Sequence, residues 1–141
     1  MNENLNHYVK HRESFRPFAA AVQAEVAGEY FDFSGSSRFL TSVGQVKEKH
    51  RERFVSNLLA APEQRASSER RIRVQVVERE TNRYLWDLLA GFGEATGLPV
   101  LYNTSFNLFG EPLVCSPRDA VRSFYCSGLD HLILGPFSLT K

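Results

Sequence analysis

One helix in the second half of the sequence has clear start and stop signals, and these signals constrain the fold of the chain more than any other feature. Thr81 or Asn82 can cap the helix, and Gly97, followed by Pro99, ends it. Apolar residues recur between these signals at helical spacing: Leu85, Leu88, Leu89, Phe92 and Ala95. Residues 98–102 then form a short apolar run, which is typical of a buried strand. The sequence therefore predicts a helix that leads directly into a strand.

The alternation of helices and strands extends to both sides of this unit. Residues 72–77 alternate with period two, so that Ile72, Val74 and Val76 face one way and Arg73, Gln75 and Val77 the other. Residues 116–119 start a second helix with serine at the cap and proline after it. Its predicted buried face is Ala120, Val121, Phe124 and Tyr125, and a closing strand at 129–134 precedes a short tail. The pattern predicts an α/β (α+β) fold with helices packed on a twisted mixed sheet.

The first half of the chain gives weaker signals of the same kind. In order, it predicts a short helix at 2–9, a strand at 18–22, a helix at 25–33, an exposed or edge strand at 38–46 and a surface helix at 46–59. A flexible loop is expected at 59–71, where periodicity is absent. A length of 141 residues suits one domain over 1–141.

Composition excludes several classes of function. A net charge of +1 argues against broad binding to nucleic acid, so any anion site must be local. No apolar run is long enough for a membrane span and the first residues do not form a signal peptide, so we expect a cytoplasmic protein. Cys115 and Cys126 have apolar neighbours and no metal spacing, which favours buried reduced thiols.

A polar turn at 103–112 is the strongest candidate for a binding site. Asn103, Thr104, Ser105 and Asn107 carry uncharged donors and acceptors between two apolar runs, 98–102 and a second predicted strand at 113–115. An ordinary turn is one interpretation. The other is a cradle for a ribose, an amide or a phosphate whose charge is met by basic residues distant in sequence. The candidate cations are Lys10, Arg12, Arg16, Arg70, Arg71 and Arg73.

Other catalytic arrangements are weak or incomplete. His7 and His11 have helical metal-ligand spacing but no third ligand, so surface or core histidines are favoured and no metal site is predicted. Glu111 and Asp130 lack the pairing that acid and base carboxylates require. A nucleophilic Ser105 would need a base, and His131 is the only nearby candidate.

Two motifs identify a family resemblance. Residues 10–19 read KHRESFRPFA and residues 103–112 read NTSFNLFGEP. Together with their surroundings, over nearly the whole chain, they resemble the C-terminal part of the carbamoyltransferases that make O-carbamoylated antibiotics and nodulation factors. The resemblance implies a YrdC-like fold that joins carbamoyl phosphate and ATP into carbamoyl adenylate. A separate, metal-containing, kinase-like half would then move the carbamoyl group to a hydroxyl of the acceptor.

The resemblance also implies roles for individual residues. Lys10 and Arg16 would hold phosphate and carbamoyl oxygens, and Arg73 would contact the nucleotide phosphates. Ser105 and Asn107 would fix the reacting groups or the ribose, with Asn103 and Thr104 shaping the turn and Arg12 in a supporting role. Magnesium would accompany ATP, held through phosphate and water. We therefore expect Lys10, Arg16, Arg73, Ser105 and Asn107 to face one cleft.

Departures from the family pattern leave a second interpretation open. The family segment THVDGTARVQ is here SSERRIRVQ, FRPFAP has become FRPFAA, and the chain begins after the GPRALGxRS segment and without the kinase-like half. A partner chain could supply that half, or the sequence could be a fragment or a degenerate relative. The alternative function is a non-catalytic nucleotide-binding or interaction module. Lys10→Ala and Arg16→Ala are expected to weaken anion binding with little loss of stability, because charges on a surface or in a cleft contribute little to folding.

Overall fold

The computed structural model describes residues 4–55 and 71–141. They belong to two compact units, one made of Met1–Arg16 with Ser105–Lys141 and the other of Pro17–Thr104. The strands are Ala19–Gln23 (β1), Phe31–Asp32 (β2), Ser42–Val46 (β3), Arg71–Val77 (β4), Val100–Asn103 (β5), His131–Leu134 (β6) and Phe137–Thr140 (β7). The α-helices are Ala24–Tyr30 (α1), Arg51–Val55 (α2), Arg83–Thr96 (α3) and Pro117–Tyr125 (α4). A π-helical turn at Leu5–Val9 and a 3-10 turn at Glu48–His50 complete the described elements.

The unit Pro17–Thr104 contains a five-stranded sheet in the order β2-β3-β4-β1-β5. β1 runs parallel to β4 and antiparallel to β5, so the sheet is mixed, and the predicted fold class is confirmed. All five residues of β1 are buried because the strand has a neighbour on each side and apolar side chains above and below. Its alanines keep the backbone close to those side chains. Ala20 packs in one core cluster and Ala21 in another.

β4 has the two faces that its period-two pattern predicts. Ile72, Val74 and Val76 pack in the cluster that contains Phe31 and Phe54. Val77 belongs to a second cluster, where it meets Leu89 of α3. The alternation of the strand therefore separates two cores, as expected from side chains that point to opposite faces of a sheet.

Helix α3 has the predicted ends but a narrower buried face. Asn82 Oδ1 accepts a hydrogen bond from Leu85 N at 3.1 Å, and Gly97 closes the helix at a φ of +71°. Leu89 is the one fully buried residue of this helix. Leu88 is 58% exposed and Phe92 37%, because the second core covers only the side of the helix that carries Leu85, Trp86 and Leu89.

The other unit builds its core from α4 and a β-hairpin. β6 pairs with β7 in antiparallel register, with Leu132 opposite Leu139, so the segment expected to be a tail is a strand. Ala120, Phe124 and Leu132 form the buried cluster. Contrary to the prediction of a strand at 113–115, Leu113 to Cys115 has no regular structure. Val114 N instead donates to Phe106 O at 3.0 Å, across the polar turn.

Several element boundaries differ from the sequence prediction for local reasons. The strand predicted over 38–46 begins only at Ser42, because Leu40 has a φ of +60° that extended backbone does not allow. The helix predicted over 25–33 ends at Tyr30, because Phe31 pairs with Val46 in the sheet. Residues 59–70 of the predicted loop, including Arg70, lie outside the described residues, and Arg71 already begins β4.

Some side chains predicted to be buried are exposed. Cys115 and Cys126 are free thiols, as expected, but both are exposed. Tyr125 of α4 is 60% exposed, and Ser123 takes a buried place on that helix instead. Among the helices of the described ranges, none combines the length and the hydropathy that crossing a membrane requires.

Candidate functional site

A polar cavity of about 230 Å³ lies within the unit formed by the two ends of the chain. Its lining joins the KHRESFR segment to the polar turn, two segments that are about ninety residues apart in sequence. The lining residues are Lys10, Arg12, Arg16, Ser105, Asn107, Leu108, Phe109 and Gly110. Five of the predicted site residues therefore share one cavity, in which three side chains are cationic.

Lys10 is the most buried cation of the cavity. Its side chain is only 5% exposed. The ammonium donates to Ser105 O at 2.8 Å and Asn107 O at 2.6 Å, and it lies 3.3 Å from Ser105 Oγ and 2.8 Å from Asn107 Oδ1. An ammonium has three N–H groups, so these acceptors already use all of its donors. Lys10 is therefore buried, and its side chain ties the turn to the opening segment, so we expect its replacement to lower stability.

Burial changes the acid–base behaviour of Lys10. Loss of hydration lowers the pKa of the ammonium, and the positive charge of Arg12 lowers it further. A bound anion would offset the charge of Lys10, because the ammonium has few water contacts and is close to a second cation.

The polar turn is held by its own side chains. Ser105 Oγ donates to Asn107 Oδ1 at 2.6 Å, and Asn107 Nδ2 donates to Glu111 O at 2.9 Å. The hydroxyl proton of Ser105 therefore points to an amide oxygen and not to a base. His131 Nδ1 lies 3.2 Å from Thr140 Oγ1 within the hairpin. This arrangement does not activate Ser105 as a nucleophile.

Asn6 supports the basic segment and was not among the predicted site residues. It is fully buried, whereas Tyr8 of the same helical turn is 60% exposed. Asn6 Nδ2 donates to Ser14 O at 3.2 Å and to Arg16 O at 2.9 Å. A lone asparagine in a terminal helical turn carries no sequence signal that separates it from an exposed one.

Arg16 reaches the cavity from a more open position. Its Nε lies 2.8 Å from Glu13 Oε2, and both side chains are 46% exposed. A hydrogen bond from its own backbone amide, followed by the charge of Arg16, holds the pKa of Glu13 below its ordinary value. Glu13 is therefore a carboxylate at neutral pH, and it holds Arg16 through Nε.

The remaining predicted site residues belong to the unit Pro17–Thr104. Arg73 is exposed on β4, opposite Val43 in the register, and Thr104 is also exposed. Asn103 Nδ2 donates to Gln75 Oε1, and Gln75 Nε2 donates to Arg38 O at 3.2 Å. The shared cleft that includes Arg73 stays a prediction.

A protein-built metal site is missing from the described ranges 4–55 and 71–141. In these ranges no three His, Cys, Asp or Glu side chains come together in a way that could hold a metal ion. The side chains that line the cavity are cationic or uncharged, whereas magnesium is usually coordinated by carboxylate oxygens, so direct coordination is disfavoured. A magnesium ion bound to the phosphates of a ligand would fit this lining.

Comparison with known proteins identifies the family of the chain. The family model described as "Carbamoyltransferase C-terminus" matches residues 1–141. The chain belongs to this family. The resemblance inferred from the two motifs is therefore confirmed.

Individual relatives show how much of a longer protein this domain represents. The chain is 38% identical over 153 residues to an uncharacterised protein of Synechocystis, covering 100% of this chain and 25% of the relative. It is 38% identical over 142 residues to nodulation protein NolO of Bradyrhizobium diazoefficiens, covering 99% and 24%. It is 28% identical over 129 residues to the 3'-hydroxymethylcephem-O-carbamoyltransferase of Amycolatopsis lactamdurans, covering 90% and 22%. The chain spans about a quarter of the length of these relatives.

Proposed function

We propose that this domain binds carbamoyl phosphate and ATP and joins them into carbamoyl adenylate. The observation that carries the proposal is the cavity where Lys10, Arg12 and Arg16 meet the uncharged polar groups of Ser105 and Asn107. Both substrates are polyanions, so a site that unites them needs fixed cations to offset their mutual repulsion. The name of the Amycolatopsis relative supports carbamoyl transfer as the chemistry.

The balance of the reaction defines what the site must handle. Carbamoyl phosphate gives carbamate and inorganic phosphate when water breaks its carbonyl carbon–oxygen or phosphorus–oxygen bond. A carbamate oxygen then attacks the α-phosphorus of ATP, and pyrophosphate leaves as carbamoyl adenylate forms. One water is consumed, and two phosphate-containing products are released. The developing charge lies on phosphate oxygens in both steps, which arginine stabilises without a proton transfer.

The contacts suggest different roles for the three cations of the cavity. Arg16 bonds Glu13 through Nε, and its terminal nitrogens would form a bidentate contact with phosphate or carbamoyl oxygens. Arg12 would assist from the same wall. Lys10 would act through its positive charge and through the turn that it holds, since its donors are occupied.

The other predicted residues would have the roles that the family resemblance implies. Ser105 and Asn107 would fix the reacting groups or the ribose. Arg73 would contact the nucleotide phosphates, with Asn103 and Thr104 shaping the turn, and magnesium would arrive with ATP. A kinase-like half on another chain, or on a longer form of this one, would move the carbamoyl group to the hydroxyl acceptor.

Binding and product release test the proposal together. Calorimetry should show binding of carbamoyl phosphate and of ATP with magnesium to the 141-residue chain. Inorganic phosphate and pyrophosphate should then appear in equal amounts only when both substrates are present. Arg16→Ala should weaken carbamoyl phosphate binding about ten-fold, the loss of one charge-assisted contact. An absence of binding by the wild-type chain would refute the proposal.

A non-catalytic binding module is the second candidate, and the occupied ammonium of Lys10 favours it. A site that directs a buried cation to its own turn can bind an anion without stabilising a transition state. Binding without release of either product, also after addition of a kinase-like half, would support this second function.

A further inference from the structure

We propose that Asn6 is the positioning residue of the anion site, because its one side chain sets the placement of both Arg12 and Arg16. This inference rests on the proposed function for its consequence, although its geometric part does not. Asn6 itself does not line the cavity, so it would act through the two arginines.

The first observation is that Asn6 uses its full amide on the basic segment. Its Oδ1 accepts from Arg12 Nε at 2.7 Å, while Nδ2 donates to the carbonyls of Ser14 and Arg16 at 3.2 and 2.9 Å. Its backbone carbonyl accepts from Arg12 N at 2.9 Å. One residue therefore contacts both ends of the segment 12–16. The acceptor side of the amide orients the guanidinium of Arg12, and the donor side fixes the backbone that carries Arg16.

The second observation is that the segment has little other support from local regular structure. No helix or strand includes residues 11–18. His11 has a φ of +49°, a left-handed conformation that most side chains avoid, and Phe15 is 64% exposed. Hydrogen bonds from a buried group can hold a loop of this kind in one conformation.

The third observation is the complete burial of Asn6. A fully buried amide without partners would be strongly unfavourable, so the three side-chain hydrogen bonds are needed together. Any replacement that loses the donors leaves the carbonyls of Ser14 and Arg16 without this partner. The backbone that carries Arg16 then loses its anchor, and the two arginines lose their common placement in the cavity.

The geometric part can be tested without a ligand. The exchange of the Arg12 Nε proton with water, measured by nitrogen-15 NMR, should be slow in the wild type and about ten-fold faster in Asn6→Ala. Asn6→Asp keeps the acceptor for Arg12 but lacks the donors to Ser14 and Arg16, so it should keep the Arg12 proton protected. Equal exchange in the wild type and Asn6→Ala would overturn the inference.

Phosphate binding tests the functional part. Asn6→Leu adds no charge, and it should raise the Kd for inorganic phosphate about ten-fold, by calorimetry, as the arginines lose their placement. Ser116→Ala is the matched control, because it removes a helix cap in the same unit without touching the cavity. It should lower stability and leave the Kd unchanged. A folded Asn6→Leu variant with the wild-type Kd, or an equal loss of affinity in Ser116→Ala, would overturn the positioning role.

Failure of the proposed function would look different. In one outcome the wild-type chain would bind neither phosphate nor carbamoyl phosphate, while the Arg12 Nε proton would still exchange faster in Asn6→Ala than in the wild type. In that case Asn6 would position the arginines for some other purpose. The carbamoyl adenylate proposal would then fall by itself.

Discussion

Replacement of Lys10 by methionine should destabilise the protein by about 2–3 kcal/mol. Methionine keeps most of the length of the side chain but has no donor. The ammonium contacts two backbone carbonyls and two side-chain oxygens at 2.6–3.3 Å. Hydrogen bonds to a charged group contribute roughly 1.5–3 kcal/mol each, which gives an upper limit of several kcal/mol for three donors.

Two effects reduce that limit. The ammonium no longer loses hydration in the variant, and the exposed Ser105 can hydrogen-bond to water once the turn loosens. The net loss of about 2–3 kcal/mol corresponds to a fall in Tm of roughly 6–9 °C for a chain of this size. Urea unfolding at neutral pH measures the free energy, and a thermal scan gives the Tm.

Lys49→Met is the matched control for this change. Lys49 is 61% exposed and its ammonium lies 3.7 Å from Glu29 Oε1, so its loss should change stability by less than about 0.5 kcal/mol. A Lys10→Met variant as stable as the Lys49→Met variant would refute the conclusion that Lys10 ties the turn to the opening segment.

The pH dependence of the same variant gives a second check. The pKa of Lys10 is lowered in the folded protein, so between that value and the ordinary value of 10.5 the unfolded chain binds more protons than the folded one. Stability from this group therefore rises with pH across that window. The difference in unfolding free energy between the wild type and Lys10→Met should widen as the pH approaches 10.5. A constant difference would contradict the lowered pKa.

Three further predictions concern packing and capping. Gly128→Ala should destabilise the protein by about 1–3 kcal/mol, because an added Cβ would lie 2.8 Å from Tyr8 O. Gly28→Ala lies in helix α1, where the added Cβ would meet no atom of another element within 4 Å, so it should stabilise the protein by about 0.5–1 kcal/mol. Denaturant midpoints of the two variants measure the difference. Ser116→Ala should cost about 1 kcal/mol in urea unfolding, because Asp119 N loses the capping hydroxyl at 3.2 Å. The hydrogen bond from Ser116 lowers the pKa of Asp119, so the stability that this carboxylate adds should be present above its ordinary value of 3.8 and be lost as the pH falls through the lower folded value. Acid unfolding of Asp119→Asn should lack that step, and an unchanged acid profile would contradict the prediction.

Local signals in the sequence were sufficient for elements that depend on neighbouring residues. The cap at Asn82, the stop at Gly97 and the serine cap of α4 involve contacts within a few positions, so residue type and spacing determine them. The two faces of β4 follow from its alternation in the same way. Motif similarity was also sufficient to find the family.

Other features depended on partners that no local pattern specifies. The sequence predicts a tail where the structure has β7, because three of the four residues of this strand are exposed and its pairing with β6 forms only in the folded chain. Tyr125 and Leu88 fit apolar helical faces, but each face is covered only where another element reaches it. Burial of a given apolar residue is thus decided by the neighbours that the fold provides.

The sequence by itself determined the helices with strong caps, the mixed α/β class, the family and the identity of the cations that could meet an anion. Only the tertiary structure decided which of these cations share a cavity, that Lys10 is buried against the polar turn, and that Asn6 holds the basic segment. The reason is physical. A cap is a contact between residues a few positions apart, whereas the bond from Lys10 to Asn107 joins residues 97 positions apart and exists only after the chain has folded.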